Sequence, residues 1–231
     1  MLVLAIDTTT KIAGVALYDT NQGILGEITM HAHTNHSEII SRMVADVFDI
    51  AKVSKENIDR IAVSVGPGSF TGIRIGVAFA KGLAMSLGVD IVGVNELDVL
   101  AHNVPQILLT QENTYVIPII DAKNSRGYYA RYNNKFDILD QCTVGDLREY
   151  FAKINDNQAK YIMLGDGALV NRELIQDTLG DNAYVCDAVM STPRAAILAE
   201  LASRREADNL YTLEPYYANK SQAERAREER K

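Results

Sequence analysis

Three stretches of the chain carry residue types that could do chemistry. The first is Gly66-Pro67-Gly68-Ser69-Phe70-Thr71-Gly72, which follows the apolar run 61–65. Glycines between a strand and a helix let backbone N–H groups close on a phosphate. The Gly-x-Gly-x-x-Gly spacing of a dinucleotide site is missed by one residue, and no Lys-Ser/Thr pair follows to make a P-loop. An anion at the helix N-terminus and a plain tight turn both stay open. The second stretch is Asp7-Thr8-Thr9-Thr10, at the end of the apolar run 2–6. Here Asp7, Thr8 and Thr9 are the candidate contact to a nucleotide or phosphate. A phosphate clamp needs an answering loop from elsewhere in the chain. The matching place reads Asp121-Ala122-Lys123-Asn124-Ser125-Arg126-Gly127, with one late glycine, and Gly165-Asp166-Gly167 is short for an adenosine loop. The plainer reading is that Asp7 and Asp121 cap strand ends.

The third stretch holds His31, His33 and His36. His31 and His33 would share a strand face, but no carboxylate or cysteine completes a ligand set, and no metal is expected. Cys142 and Cys186 have neither metal nor redox spacing and read as reduced, buried thiols. No Ser-His-Asp arrangement can be argued, and no residue is assigned as catalytic.

The glycine loop is positioned by the helix it launches. Ser69 or Thr71 can cap that helix, and Gly88 ends it after Leu87. Along it Gly72, Gly76, Ala80 and Ala84 recur every four residues, which leaves one nearly bare face. A mid-helix glycine costs about 1 kcal/mol against alanine, so a close approach by another backbone is expected. Before it, strands at 2–6, 12–18 and 24–30 make an antiparallel meander. Asn35 and Glu38 form a capping box for a helix with Ile39, Ile40, Met43, Val44, Val47, Phe48 and Ala51 on one face. A strand at 61–65, the glycine-striped helix and a strand at 90–94 follow through right-handed parallel crossovers, and Asn95 caps a short helix to about His102.

The pattern then restarts. Strands are expected at 115–120, 126–132 and 135–139. A helix at 144–154, capped by Thr143, and a strand at 160–164 come next. A helix at 170–179, a short strand at 184–186 and a helix from Thr192 and Pro193 to about 207 complete the half. Both halves thus run βββαβαβα, an internal duplication and the plan of the two-lobed α/β actin-like ATPase and sugar-kinase fold. The expected division is an N-terminal lobe at 1–108, a C-terminal lobe at 109–219 and a charged tail at 220–231.

With 231 residues, 47% apolar and 23% charged, the chain can bury a sizeable core. A net charge of −7 and a pI of about 5.1 argue against a free-standing nucleic-acid binder, which needs a basic patch. RNA held through another subunit is compatible with that charge. No run of 18 apolar residues occurs, so no transmembrane helix is expected. The start MLVLAID has no basic region before its apolar run, which makes the cytoplasm the expected location.

At this point the residues resemble a known family, the TsaB (YeaZ) proteins. The motifs are Leu4-Ala5-Ile6-Asp7-Thr8-Thr9, His36-Ser37-Glu38, Ile120-Asp121-Ala122-Lys123, Leu213-Glu214-Pro215-Tyr216-Tyr217 and, most specifically, Gly66 through Arg74. The resemblance implies a non-catalytic subunit of the bacterial machinery that makes threonylcarbamoyladenosine beside the anticodon of tRNA. It also implies partners: the catalytic paralogue TsaD, the small ATPase TsaE, a second copy of the chain through the same helices, and tRNA only through the complex. The synthase TsaC completes the implied pathway. No cofactor of its own is implied; ATP or ADP would sit at a site formed with partner subunits. TsaD binds its metal with a His-x-x-x-His pair just after Gly-Val-Asn. Here Gly93-Val94-Asn95 is followed by Glu96 and, four residues on, by Leu100, so both imidazoles are missing. The resemblance further implies that the two long helices of the first lobe meet the partner, which makes Ile39, Met43, Val47, Gly72, Gly76, Ala80 and Ala84 the candidate interface. The alternative is an enzyme, either an actin-like nucleotide-dependent kinase or a metallopeptidase-like protein.

Overall fold

The computed structural model describes residues 1–32 and 36–218. The expected Asn35 cap, His33 and the charged tail lie outside them. Two five-stranded sheets form the frame, in the orders β3-β2-β1-β4-β5 and β10-β9-β6-β7-β8. In the first, β1 (Leu2–Asp7), β2 (Ile12–Asp19) and β3 (Gly23–His31) make the antiparallel meander, and β4 (Arg60–Gly66) and β5 (Asp90–Asn95) join in parallel. In the second, β6 (Thr114–Asp121), β7 (Arg126–Tyr132) and β8 (Ile138–Asp146) repeat the meander, and β9 (Lys160–Leu164) and β10 (Ala183–Val185) the parallel part. The duplicated actin-like plan is present.

Alternation along the strands splits the core into layers. Leu2, Leu4 and Ile6 of β1 face α1 (His36–Ala51) and α2 (Phe70–Leu87), while Val3 and Ala5 face the other way. Ile117 and Ile119 of β6 face the helices α4 (Leu147–Ile154), α5 (Asp166–Val170) and α6 (Arg172–Leu179). Between the sheets lie α3 (Glu96–Ala101) and α7 (Ala195–Ser203). Through α3 the layers run helix–sheet–helix–sheet–helix, and α7 covers the α3 side of the first sheet.

The middle layer corrects the expected lobe boundaries. Leu97, Leu100 and Ala101 of α3 pack with Val116, Ile120 and Tyr132 of the second sheet. Helix α7 instead returns to the first sheet, where Ala195, Ala196, Leu198, Ala199 and Ala202 cover Val3, Ala5, Ala16, Ala62 and Val92. Small side chains let helix and sheet approach; a Cβ at Gly14 would stand 3.2 Å from that of Ala195. The chain then stays with the first sheet, as Asp208 N donates to Ile91 O and Tyr216 N to Val65 O, both at 2.8 Å. A cut at 108 or 109 divides the sequence but not the packing.

Three element boundaries also move. The strand expected at 135–139 starts at Ile138, because Asn133 Oδ1 accepts from Lys135 N and Asp137 N in a tight turn. That strand runs through Thr143 and Val144, and Asp146 rather than Thr143 caps α4, accepting from Arg148 N at 2.8 Å and Glu149 N at 3.2 Å. The helix expected at 170–179 is two helices; Asn171 Nδ2 donates to Gly167 O at 2.8 Å, which closes α5 before α6 begins.

Candidate functional site

The site predicted from the glycine loop is a contact within the chain. Ser69 caps α2, accepting from Gly72 N at 3.3 Å, and Gly88 ends it in the left-handed region at φ 68°. The turn that follows β1 lies directly on this helix. Thr8 Oγ1 donates to Gly72 O at 2.7 Å, and Ser69 N donates to Thr9 O at 2.6 Å. A Cβ would stand 2.2 Å from Thr9 O at Gly68, 2.0 Å from Thr8 O at Gly72 and 2.5 Å from Thr8 Oγ1 at Gly76. The glycines are required by this chain's own backbone. Asp7, Thr8 and Thr9, expected to meet a phosphate, are 2%, 1% and 0% exposed. Asp7 Oδ1 accepts instead from Thr9 N at 2.9 Å and Thr9 Oγ1 at 2.8 Å.

The same packing corrects the expected interface. Gly72, Gly76, Ala80 and Ala84 are buried against the first sheet, with Met43 and Val47 of α1, and Ile39 is packed at the edge of that core. These seven residues fill the layer under the helices, because the bare stripe is the side that lets α2 sit close to β1 and β4. Among the described residues, part of the outward side of α2 has no cover. Ala78, Gly82 and Met85 are exposed there, Met85 at 59%, and nothing lies within 4 Å of a Cβ placed at Gly82. By length and composition α2 could cross a membrane, yet only a third of it is buried and that third is a working layer of the fold.

A second cluster lies at the start of α3. Glu96 is fully buried, and Ser64 Oγ donates to its Oε2 at 2.6 Å. Burial first, and the Asp7 carboxylate second, hold the Glu96 carboxyl well above the usual range. The carboxyl is wedged between Ser64 of β4 and Asp7 of β1. Leu100, 1% exposed, sits in the core between the sheets. His102 stacks on Phe136 at 4.2 Å and pairs through Nδ1 with Asp98 O at 2.8 Å. Neither position expected to carry an imidazole opens to a cleft.

In the second half Gly165 and Gly167 also press on the chain's own backbone, where a Cβ would stand 2.2 Å from Ile119 O and 2.9 Å from Asp121 N. The hairpin of that half holds Lys123, Asn124 and Ser125 at φ 70°, 53° and 57°, and Lys123 Nζ pairs with Asp121 at 3.0 Å. Asp121 N donates to Asp166 Oδ1 at 2.9 Å. Burial, then the Asp121 charge, raise the Asp166 carboxyl. His31 is the exposed end of β3, and no cluster of three His, Cys, Asp or Glu side chains forms among the described residues. Both cysteines are free, and burial raises their thiols, Cys186 to about 11.

Sequence reasoning missed the C-terminal strap over α2. Arg74 stands 3.8 Å over the Phe70 ring and donates through Nε to Tyr217 Oη at 2.8 Å. Lys81 Nζ donates to Leu213 O at 3.0 Å. The two charges within the apolar helix are thus engaged by the motif that closes the described chain. The Leu-Glu-Pro-Tyr-Tyr run was the only signal, and its place on α2 depends on a contact across more than a hundred residues.

A family model described as TsaD: tRNA N6-adenosine threonylcarbamoyltransferase matches residues 15–227. The chain is 30% identical over 227 residues to the tRNA threonylcarbamoyladenosine biosynthesis protein TsaB of Bacillus subtilis (strain 168), covering 97% of this chain and 96% of that protein. YeaZ from Pseudomonas aeruginosa superposes with a TM-score of 0.76 at 25% identity, over 94% of this chain and 99% of that one. The inorganic polyphosphate/ATP-glucomannokinase of Arthrobacter sp. strain KM shares the fold alone, with a TM-score of 0.51 at 11% identity over 88% and 98% of the two chains. With motif, fold and full-length similarity in agreement, the chain belongs to the TsaB (YeaZ) family, on the actin-like two-lobed fold.

Proposed function

We propose that this chain is a non-catalytic subunit of the machinery that makes threonylcarbamoyladenosine in tRNA, and that it docks through the outer side of α2 on a catalytic paralogue of the TsaD type. The observation that carries the reading is the uncovered apolar face of α2 at Ala78, Gly82 and Met85. Exposed apolar surface of this kind marks interaction sites, and a helix whose outer residues are small admits a second helix closely. A second copy of the chain uses the same face. Support for the absence of catalysis comes from the filled interior. The Thr8–Thr9 turn occupies the glycine loop, and Glu96 and Leu100 are enclosed. The name of the Bacillus subtilis relative supplies the pathway. In this reading a nucleotide binds only at a surface completed by partners, a TsaE-type ATPase joins the assembly, tRNA is held through it, and the assembly works in the cytoplasm.

The test is co-purification with a TsaD-type partner. Gly82→Arg and Met85→Glu are expected to abolish it with the fold intact, the first stabilising the helix by about 1 kcal/mol and the second shifting stability by no more than about 0.5 kcal/mol, as surface changes do. Gly76→Leu should instead unfold the chain, since its side chain would meet Thr8. Survival of the complex in both surface variants would place the interface elsewhere.

A further inference from the structure

We propose that the second half carries a binding site for an organic cation, an alkylammonium or guanidinium group on an apolar chain, in the open cavity between β8 and α4. The cavity is about 400 Å³, and Tyr129, Asp140, Asp146, Glu149, Tyr150 and Lys153 line it. It lies on the outer helical layer opposite α2, so the inference stands apart from the proposed docking face.

The floor is aromatic. The rings of Tyr129 and Tyr150 stack with centroids 3.8 Å apart and an interplanar angle of 23°. Tyr150 is 6% exposed, and among the described residues its hydroxyl has no hydrogen-bond partner. A buried phenol normally finds one, and a bound N–H group would supply it. The strand above is bare where it crosses the Tyr129 hydroxyl; a Cβ at Gly145 would stand 2.9 Å from that oxygen. Two register shifts in the β7–β8 pairing fall around Arg131, beside Asp140. Irregularities of this kind re-aim side chains at sites.

The walls are acidic. Arg131 Nε pairs with Asp140 Oδ2 at 2.9 Å, which answers one carboxylate. Asp146 receives only backbone N–H groups as the cap of α4, and Glu149 follows within the first turn. Lys153 is the one cation on the lining. After burial, the carboxylates of Asp140, Glu149 and Asp146 each raise the Tyr129 hydroxyl. Aromatic faces beneath carboxylates select an organic cation, and the same field repels an anion.

The test is an amide NMR titration of the full chain, with 1,5-diaminopentane in one arm and a short lysine-containing peptide in the other. Saturable shifts at Gly145 and Tyr150 that weaken with salt are expected. Tighter binding in the first arm identifies a free amine as the source, and tighter binding in the second a protein side chain. Glu149→Gln should weaken binding about fivefold. Tyr150→Phe, which leaves the stacked ring in place, should weaken it about threefold. Absence of saturable shifts up to about 50 mM, where a site with even 1 mM affinity is full, overturns the proposal. Equal affinity in wild type and both variants overturns it as well.

Discussion

Glu96 follows Gly93-Val94-Asn95, where the resemblance to TsaD implies an imidazole, and its chemistry here is that of a buried acid. In an unfolded chain it ionises near its ordinary value of 4.5; in the fold, burial and Asp7 keep the proton on well above that. Between those two values the unfolded state binds fewer protons than the native state, so stability falls as pH rises through the window and levels off above the folded value. The loss is at most about 1.4 kcal/mol per pH unit. Glu96→Gln keeps the shape of the neutral acid and cannot ionise. Thermal melts of the two proteins should converge near pH 4.5 and separate upward from there, with the variant the more stable. Parallel melting curves across that range would show that Glu96 is already ionised in the fold. The identity of the residue was visible in the sequence; its partners, Asp7 and Ser64, were not, since they lie 89 and 32 positions away in the chain.

At the scale of the element, α7 shows how a helix can be foreseen and its place missed. Expected from Thr192 and Pro193 to about 207, it runs over Ala195–Ser203 and packs on the first sheet. Its alanines and leucines declare a buried helix, but nothing local says which sheet buries it. Two residues of the first half hold its ends. Glu27 Oε1 accepts from Ala196 N at 3.0 Å, and Arg194 pairs with Oε2 of the same carboxylate. At the other end Arg60 Nη1 donates to Ala202 O at 2.9 Å and Arg205 O at 2.7 Å. An acid at the N-terminus and a base at the C-terminus complement the helix dipole. Arg60→Met should therefore cost about 2 kcal/mol in urea unfolding, the range for hydrogen bonds from a charged group. It should also open the segment after Ser203 to protease. Unchanged cleavage there would mean that the alanine packing alone seats α7. The end of α4 taught the same lesson on a smaller scale. Thr143 is the expected cap, but pairing of Val144 with Tyr128 extends the strand past it and Asp146 takes the role.

At the scale of the molecule, Asp98 ties the layers together. Its Oδ1 accepts from Tyr132 Oη at 2.6 Å and its Oδ2 from Arg205 Nη2 at 2.7 Å. One carboxylate of α3 thus joins the second sheet to the segment that follows α7. Burial, then Asp98 itself, raise the Tyr132 hydroxyl, which stays a donor. Asp98→Ala leaves that hydroxyl unpartnered and should cost about 2–3 kcal/mol, toward the lower end because Arg205 remains 37% exposed to water. Adding Tyr132→Phe should then cost little more, because both changes remove one interaction. Full additivity in urea unfolding would show that the two residues act independently. The helix α2 belongs to this scale as well. Its stripe of small residues was legible in the sequence, and the side it faces was not. The glycines pack inward on Thr8, which turns the opposite face outward.

The sequence by itself determined the duplicated strand and helix order, the ends of α2, the cap at Asn95 and the family motifs, because capping, turn chemistry and periodicity act within a few residues. Only the tertiary structure decided that Thr8 and Thr9 fill the glycine loop, that Glu96 shares its burial with Asp7, and that α7 joins α3 on one side of the first sheet. Those outcomes turn on approaches between backbones far apart in the chain. Their distances are set by the packing of whole layers, which no local pattern records.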